Sequence, residues 1–490
     1  MFPIDIHKLF QQFVYNPDEP LIFSSGLFLF LFTGFVIVYS QLSHTSRPKL
    51  IFVTLFSLYF YYKSTGIYFL LLLLATCVDF TLARFIYEAD DRLRRKLLLI
   101  ASLATNLGVL AYFKYSNFIL GAFSGWTSGD FVATDLFIPV GISFFTFQSL
   151  SYTLDVYRGN LKPVNSILDY AFYLSFFPQL VAGPIVRAID FLPQINKPVV
   201  ITNEMFGRGV FLIITGLFKK AVIADYISIN FVDRVFDAPS LYTGLENLFA
   251  VYGYALQIYC DFSGYSDMAI GIALLLGFHF NMNFDSPYKS KNITEFWRRW
   301  HISLSSWLKD YLYISLGGNR KGKWRTYLNL MITMLLGGLW HGPAWRFVIW
   351  GGLHGAALAA HKFFKERFSV SLTSRYGGFF SAVLTFHFVC FCWIFFRAAD
   401  MATVGAMLTQ IVSNFSPSVL LQFIAGYSTV LFLMAIGYAG HFIPDNIVET
   451  AQERMMKMPL YAKALCVVVV IVVVIQTKSA EVQPFIYFQF

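Results

Sequence analysis

Apolar runs long enough to cross a lipid bilayer recur along this chain from Leu21 to Ile475, and no other feature limits its fold so strongly. A helix needs about 20 residues to traverse roughly 30 Å of hydrocarbon. Runs of that kind fall near 21–42, 49–62, 66–84, 97–115, 131–153, 166–186, 206–227, 246–276, 327–339, 343–362, 377–396, 419–440 and 460–476. The pattern predicts an all-α polytopic membrane protein with about eleven to thirteen membrane helices, some of them partial. The first run starts some twenty residues in and lacks a short apolar core with a small-residue cleavage site. It is expected to be a permanent span rather than a signal peptide.

Of the 490 residues 57% are hydrophobic and 13% charged, and the formal net charge is +9. That excess does not call for nucleic acid, because Lys and Arg collect in the cytoplasmic loops of membrane proteins. Arg92, Arg94, Arg95 and Lys96, then Lys219 and Lys220, mark that side. The densest basic stretch, Lys289 to Arg325, is interleaved with Trp297, Trp300, Trp307, Tyr311 and Tyr313. Such a mixture predicts a cytoplasmic amphipathic segment over 283–326 that lies among the headgroups of the membrane lipids. Arg454, Lys457 and Lys463 precede the last run and only Lys478 follows it, which puts the tail 478–490 outside the cytoplasm. Without repeats or low-complexity linkers, a single membrane domain is the expected organisation. The five cysteines, Cys77, Cys260, Cys390, Cys392 and Cys466, show no metal-ligand spacing. They read as core residues, and neither a metal nor a bound cofactor is expected.

The stretch "GGLWHGPAW", Gly337 to Trp345, sets a histidine in the middle of an apolar run from Tyr327 to Ala360. That run is too long for one span and too short for two with an ordinary loop. Gly337, Gly338, Gly342 and Pro343 interrupt it where helical hydrogen bonding breaks most easily. A helix, a break and a second helix are therefore predicted, and irregular backbone at membrane depth is tolerated only when protein buries it or it lines a cavity. His341 would lie about fourteen residues, or roughly 21 Å, from the basic edge. An ionisable side chain that deep in a membrane is a functional candidate by default, against the simpler reading of a histidine bonded to a neighbouring helix. Low dielectric favours neutral imidazole, which suits a general base awaiting a hydroxyl proton.

Several blocks carry a family resemblance. "NFDSPYKSKNITEFWRRWHISLSSWLKDYLYISLGGNRKG" (Asn283 to Gly322) and "MLLGGLWHGPAWRFVIWGGLHG" (Met334 to Gly355) resemble the membrane-bound O-acyltransferase family, in its alginate O-acetylase branch. "SFFTFQSLSYTLDVYRG", "FFPQLVAGPIVR" and "YCDFSGYSDMAIG" are similar to the same branch and occur in the same order. Ser315 departs from the proline expected in "YISLGG". The resemblance implies a ring of tilted helices around a thin core, pierced by a tunnel that joins a cytoplasmic to an extracytoplasmic funnel. It maps the family's invariant histidine to His341 and its partner position to His301.

Under that resemblance His341 is the expected general base, and His301 a second catalytic or donor-orienting residue. Asp261 and Tyr265 are four apart and could line one wall of the tunnel with Trp340. Asp267 is a further candidate for the tunnel or acceptor lining, but it is rotated by about 240° from Asp261 on a helix, so the two carboxylates are not expected to share a face. A polar network between packed helices explains them equally well. Arg298, Arg299, Asn319 and Arg320 are candidates for holding the phosphates of acetyl-coenzyme A, the implied donor, although membrane topology alone also accounts for a basic edge. In the tail "PFIYFQF", Tyr487 could accept the acyl group and relay it, since an aryl ester keeps much of a thioester's transfer potential.

The implied function is transfer of an acetyl group from a cytoplasmic thioester, across a bacterial inner membrane, for O-acetylation of an exported or cell-wall polysaccharide. An extracytoplasmic acyltransferase would be the partner. Carrier-fed D-alanyl transfer to teichoic acid is the alternative within the class, and an ion- or proton-coupled transporter the alternative outside it.

Overall fold

The computed structural model describes residues 11–17, 19–42, 46–127, 132–181, 183–368 and 375–477, and among these every regular element is helical. The chain divides into two compact units. One comprises residues up to Gly209 together with Ala269–Asn281, and the other Val210–Met268 together with the chain from Met282 onward.

In the first unit α1 (Phe69–Glu88), α2 (Arg92–Leu110), α3 (Ile142–Arg158) and α4 (Ile167–Ser175) pack together. α2 starts at Asp91, whose carboxylate accepts from the Arg94 amide at 2.7 Å. It turns Ser102 and Asn106 inward and leaves Leu97, Ile100 and Leu107 exposed. A helix of a soluble protein does the reverse, whereas a lipid-facing helix hides polar groups and presents leucines. The inward groups meet Asp79 of α1, which is fully buried. Its carboxylate accepts from Ser102 (2.5 Å), Asn106 (2.8 Å) and Thr153 (3.4 Å), and also from Ser149, which in turn contacts the Tyr170 hydroxyl. A carboxylate so far from water is tolerable only with such a set of donors, so the four helices are held in one register.

Among the described residues three stretches are long and apolar enough to cross a bilayer: Arg47–Glu88, Arg92–Ser124 and Gly377–Arg397. They become five if the bent pairs Met401–Ser413 with Pro417–Gly426 (90°) and Ser428–Phe442 with Asp445–Lys457 (93°) each count as one. Several of the apolar runs are not single straight helices, and the reasons are local. The run 131–153 turns helical only at Ile142, because Gly141 takes a left-handed turn (φ 77°) against the Leu180 carbonyl. The run 166–186 breaks at Phe176, before Pro178. The run 206–227 changes into π-helical turns at Phe218–Ala224, which bury Lys220, and a second π-helical stretch at Ser228–Val232 buries Ser228.

The second unit holds most of α5 (Gly244–Leu275), then α6 (Ile293–Arg299), α7 (Ile302–Trp307), α8 (Lys323–His341), α9 (Trp345–Phe368) and α10 (Arg375–Arg397). α8 and α9 form the predicted broken pair, an antiparallel hairpin closed by Gly342, Pro343 and Ala344. Its open end carries a Lys323–Glu366 ion pair at 3.3 Å. Near the tip Gly338 and Gly351 face each other so closely that a Cβ on Gly351 would strike the Met334 carbonyl. α8 is 19 residues long, about 28 Å, and His341 is its last residue.

Candidate active site

Asn283 to Ile302 folds back on itself. The Asp285 amide donates to the Arg299 carbonyl (2.9 Å), and the Ile302 amide to the Asn283 carbonyl (2.8 Å). At the corner His301 has left-handed backbone (φ 44°, ψ 56°), which among the described non-glycine residues only Ser286 shares. Positive φ at such a residue is uncommon and collects at functional sites. The sequence leaves open a solvated interfacial histidine. In the structure His301 is fully buried, its ring against Phe262 at 4.6 Å.

The hydrogen bonds around His301 fix its tautomer. The Asn283 side-chain oxygen accepts from the Ser303 amide (3.2 Å) and hydroxyl (2.9 Å), while the Asn283 Nδ2 donates to Ser266 Oγ (3.1 Å). A backbone amide can only donate, so the amide orientation is set, and His301 Nδ1, 3.1 Å from the same oxygen, must carry a proton. In neutral His301 the basic lone pair is therefore on Nε2. Burial pushes this imidazole down to about 3, so it is neutral near pH 7.

His341 is buried at the hairpin tip among Trp340 (5.0 Å between ring centroids), Trp350 (5.1 Å) and Phe396 (5.1 Å). Trp340 also reaches His301, with centroids 6.3 Å apart. One indole is thus shared by both candidate histidines. Two tryptophans of 283–326 face inward as well, whereas Trp324 is exposed: Trp300 and Trp307 are buried, and Trp300 packs on Trp393 at 5.0 Å.

The other candidates are dispersed. Asp261 pairs with Lys220 at 2.5 Å, and Lys220 also pairs with Asp225 at 2.7 Å. Asp267 pairs instead with Lys219 at 2.7 Å, so the two aspartates do go to different partners. Tyr265 is buried on the same helix, where Phe262 and Ser266 reach the His301 corner. Arg299 is committed to Asp285 and Glu295, each at 3.1 Å. Arg298, Asn319 and Arg320 are exposed, and the Asn319 amide oxygen accepts from the Tyr313 hydroxyl at 2.5 Å beside a turn made by Gly317 (φ 109°) and Gly318 (φ 55°). Ser315, in place of the expected proline, bonds the Tyr311 carbonyl at 2.7 Å. Tyr487 lies outside the described residues.

The family model of the membrane-bound O-acyltransferases matches residues 22–402. This chain belongs to that family. It is an O-acyltransferase and a multi-pass membrane protein, and the transporter alternative is set aside. Among its relatives is the probable alginate O-acetylase AlgI of Pseudomonas aeruginosa, 40% identical over 399 residues, which are 80% of this chain and 75% of the relative. The peptidoglycan O-acetyltransferase of Helicobacter pylori is 36% identical over 426 residues, covering 80% of each chain. The teichoic acid D-alanyltransferase of Bacillus subtilis is 30% identical over 273 residues, 52% of this chain and 68% of the relative. In this membrane-bound O-acyltransferase, sequence reasoning passed over Asn283, Ser303 and Phe262. Asn283 opens the quoted "NFDSPY" block and so carried a signal, but its role depends on a corner that no spacing rule foretells.

Proposed function

We propose that this protein transfers an acetyl group from a thioester on the cytoplasmic side of a bacterial inner membrane to a hydroxyl destined for an exported or cell-wall polysaccharide. The observation that carries the reading is the pair of buried imidazoles, His301 and His341, packed against the single indole of Trp340. The alginate and peptidoglycan O-acetyltransferases among the relatives favour acetyl over D-alanyl transfer, because they match far more of the chain.

In this reading His341 takes the proton of the acceptor hydroxyl as its oxygen forms a bond to the thioester carbonyl carbon. The C–S bond of the resulting adduct then breaks, and the departing thiolate receives the proton from the imidazolium. His301 offers its Nε2 lone pair to a substrate N–H or O–H and so orients it for His341. The exposed Arg298, Asn319 and Arg320 form the basic edge at which a phosphorylated donor, acetyl-coenzyme A or an acylated carrier, first meets the protein. Asp261 and Tyr265 belong to the wall beside His301. An extracytoplasmic acyltransferase completes delivery, with Tyr487 as a relay. A Tyr487→Phe enzyme that transfers as well as the wild type would remove the relay and leave the rest intact.

The test is transfer of radiolabelled acetyl from acetyl-coenzyme A in proteoliposomes, comparing wild type with His341→Ala at matched folded yield. Loss of a positioned base should slow transfer by about 10²- to 10⁴-fold. Equal labelling by the two proteins refutes the assignment of His341. Labelling by neither protein from acetyl-coenzyme A, but by the wild type from an acetylated carrier, moves the donor to the carrier class.

A further inference from the structure

The hairpin holds a second buried histidine that the proposed chemistry does not use. His354, on α9, is fully buried within rings of Trp350 (4.7 Å), Trp297 (5.2 Å), Phe388 (5.7 Å) and Phe296 (6.1 Å). The Trp297 indole N–H donates to its Nδ1 at 3.3 Å. An indole nitrogen can only donate, so Nδ1 is the acceptor and the proton of neutral His354 sits on Nε2. Among the described residues that Nε2–H has no hydrogen-bond partner. The indole N–H of Trp350, one helical turn away and also buried, has none either. The two cannot satisfy each other, since both are donors. A buried donor left without an acceptor costs roughly 1–3 kcal/mol, and two such donors side by side point to a carbonyl supplied from outside.

Their place along the hairpin says which carbonyl. From the open end, with its Lys323–Glu366 pair, α9 first presents His361, bonded to Thr294 at 2.9 Å, then His354 and then Trp350, whose ring touches His341. On the thioester reading, a donor that enters from the basic edge and sets its acyl carbon at His341 lays the chain behind its sulfur along this column. In pantetheine that chain is uncharged and flexible, and it carries an amide two methylenes from the sulfur. Resting on the thioester reading above, we propose that Trp350 and His354 bind the pantetheine arm of the donor by hydrogen-bonding its amide carbonyl. Coenzyme A and acyl-carrier proteins share this arm, so the site recognises either source.

The experiment compares two acetyl thioesters as donors to the full-length enzyme in proteoliposomes. S-acetyl-N-acetylcysteamine has the amide, and the S-acetyl ester of butanethiol does not. The wild type should prefer the amide by about tenfold in kcat/KM. His354→Phe and Trp350→Phe keep a ring in place and each removes the proposed N–H, His354→Phe also removing the acceptor of Trp297, and each should cut that preference by roughly fivefold. A merely structural role would lower both thioesters alike and leave their ratio unchanged. Parallel arms with acetyl-coenzyme A and an acetylated acyl-carrier protein assign the source, because the loss appears with the one the enzyme uses. A ratio near one in the wild type, or a full ratio retained in both variants, overturns the proposal while the thioester reading stands. Failure of the wild type with every thioester overturns that reading, and this inference with it.

Discussion

Asn283→Ala separates the orienting role of Asn283 from simple packing. The side chain is buried and its oxygen receives three donors: the Ser303 amide (3.2 Å), the Ser303 hydroxyl (2.9 Å) and His301 Nδ1–H (3.1 Å). Removing it strands the Ser303 amide and the imidazole proton, although the Ser303 hydroxyl, 3.4 Å from Nδ1, can turn to rescue one of them. One stranded buried donor plus a lost bond to Ser266 amounts to about 2–4 kcal/mol of stability, measurable as thermal unfolding in detergent. The larger effect is on transfer. With Nδ1–H unheld the ring can turn or change tautomer, and loss of an orienting partner of this kind costs about 10- to 100-fold in rate. Asn283→Asp keeps the acceptor but adds a charge that stabilises the imidazolium, in which Nε2 is a donor and no longer an acceptor. Its activity should match wild type at high pH and fall as pH drops, with an acidic limb higher than that of the wild type. If Asn283→Ala, at matched folded yield, transfers within about twofold of wild type at every pH, Asn283 does not orient His301 and the tautomer argument is wrong.

Gly351→Ala would set a methyl against the Met334 carbonyl and part the hairpin near His341; an overpacked contact of this kind costs about 1–3 kcal/mol, and a shift near 1 Å costs about 10²-fold in transfer. A lowered midpoint with unimpaired kcat would show that hairpin closure does not position His341. Folded His301 holds its proton only near pH 3, whereas the unfolded chain takes one up near the ordinary 6.5. Between those values the unfolded state binds more protons, so stability is complete above about 6.5 and declines as pH falls, by about 1.4 kcal/mol per unit from this group. Unfolding midpoints from pH 7 to 4 should therefore fall less steeply for His301→Gln, and parallel slopes would exclude His301 as the source. Ser102→Ala removes the 2.5 Å donor to Asp79 and should destabilise by about 1–3 kcal/mol without changing donor selectivity. An unchanged midpoint would mean that Asp79 is held by its remaining donors alone.

The helix break around His341 was legible because its causes are written in the chain: glycines and a proline inside an apolar run, with a lone ionisable ring beside them. The ends of the helices were not, because run length does not reveal where a helix stops. The turn at Gly141 is set by the distant Leu180 carbonyl, and the π turns after Leu217 accompany burial of Lys220 against Asp261, more than forty residues away in sequence. The depth of His301 was hidden for the same reason. A basic stretch rich in tryptophan describes an interfacial helix as well as a segment in which Trp300 turns inward onto Trp393 and Phe284. His354 stood in plain view in "WGGLHG", yet a histidine among apolar residues reads as packed until the donor on its Nδ1 is known.

The polar groups that meet each histidine explain why Asn283, and not an acid, holds His301. A carboxylate at that position would lock the tautomer equally well, but it would also favour the charged ring and leave no lone pair to receive a substrate proton. An amide orients without adding charge, and burial keeps the ring neutral. The same logic runs along the hairpin, where Trp297 fixes His354 by an indole N–H and the rings about His341 include Trp340, Trp350 and Phe396. Aromatic groups supply shape and single N–H donors at little desolvation cost, which suits a site buried away from water. The charged groups nearest in function, Lys220 with Asp261 and Lys219 with Asp267, are each paired. The chemistry proposed for this site therefore depends on tautomers set by neutral donors and acceptors, so a charge introduced beside His301 should show as a pH-dependent loss of transfer, whereas removal of the orienting amide should lower transfer at every pH.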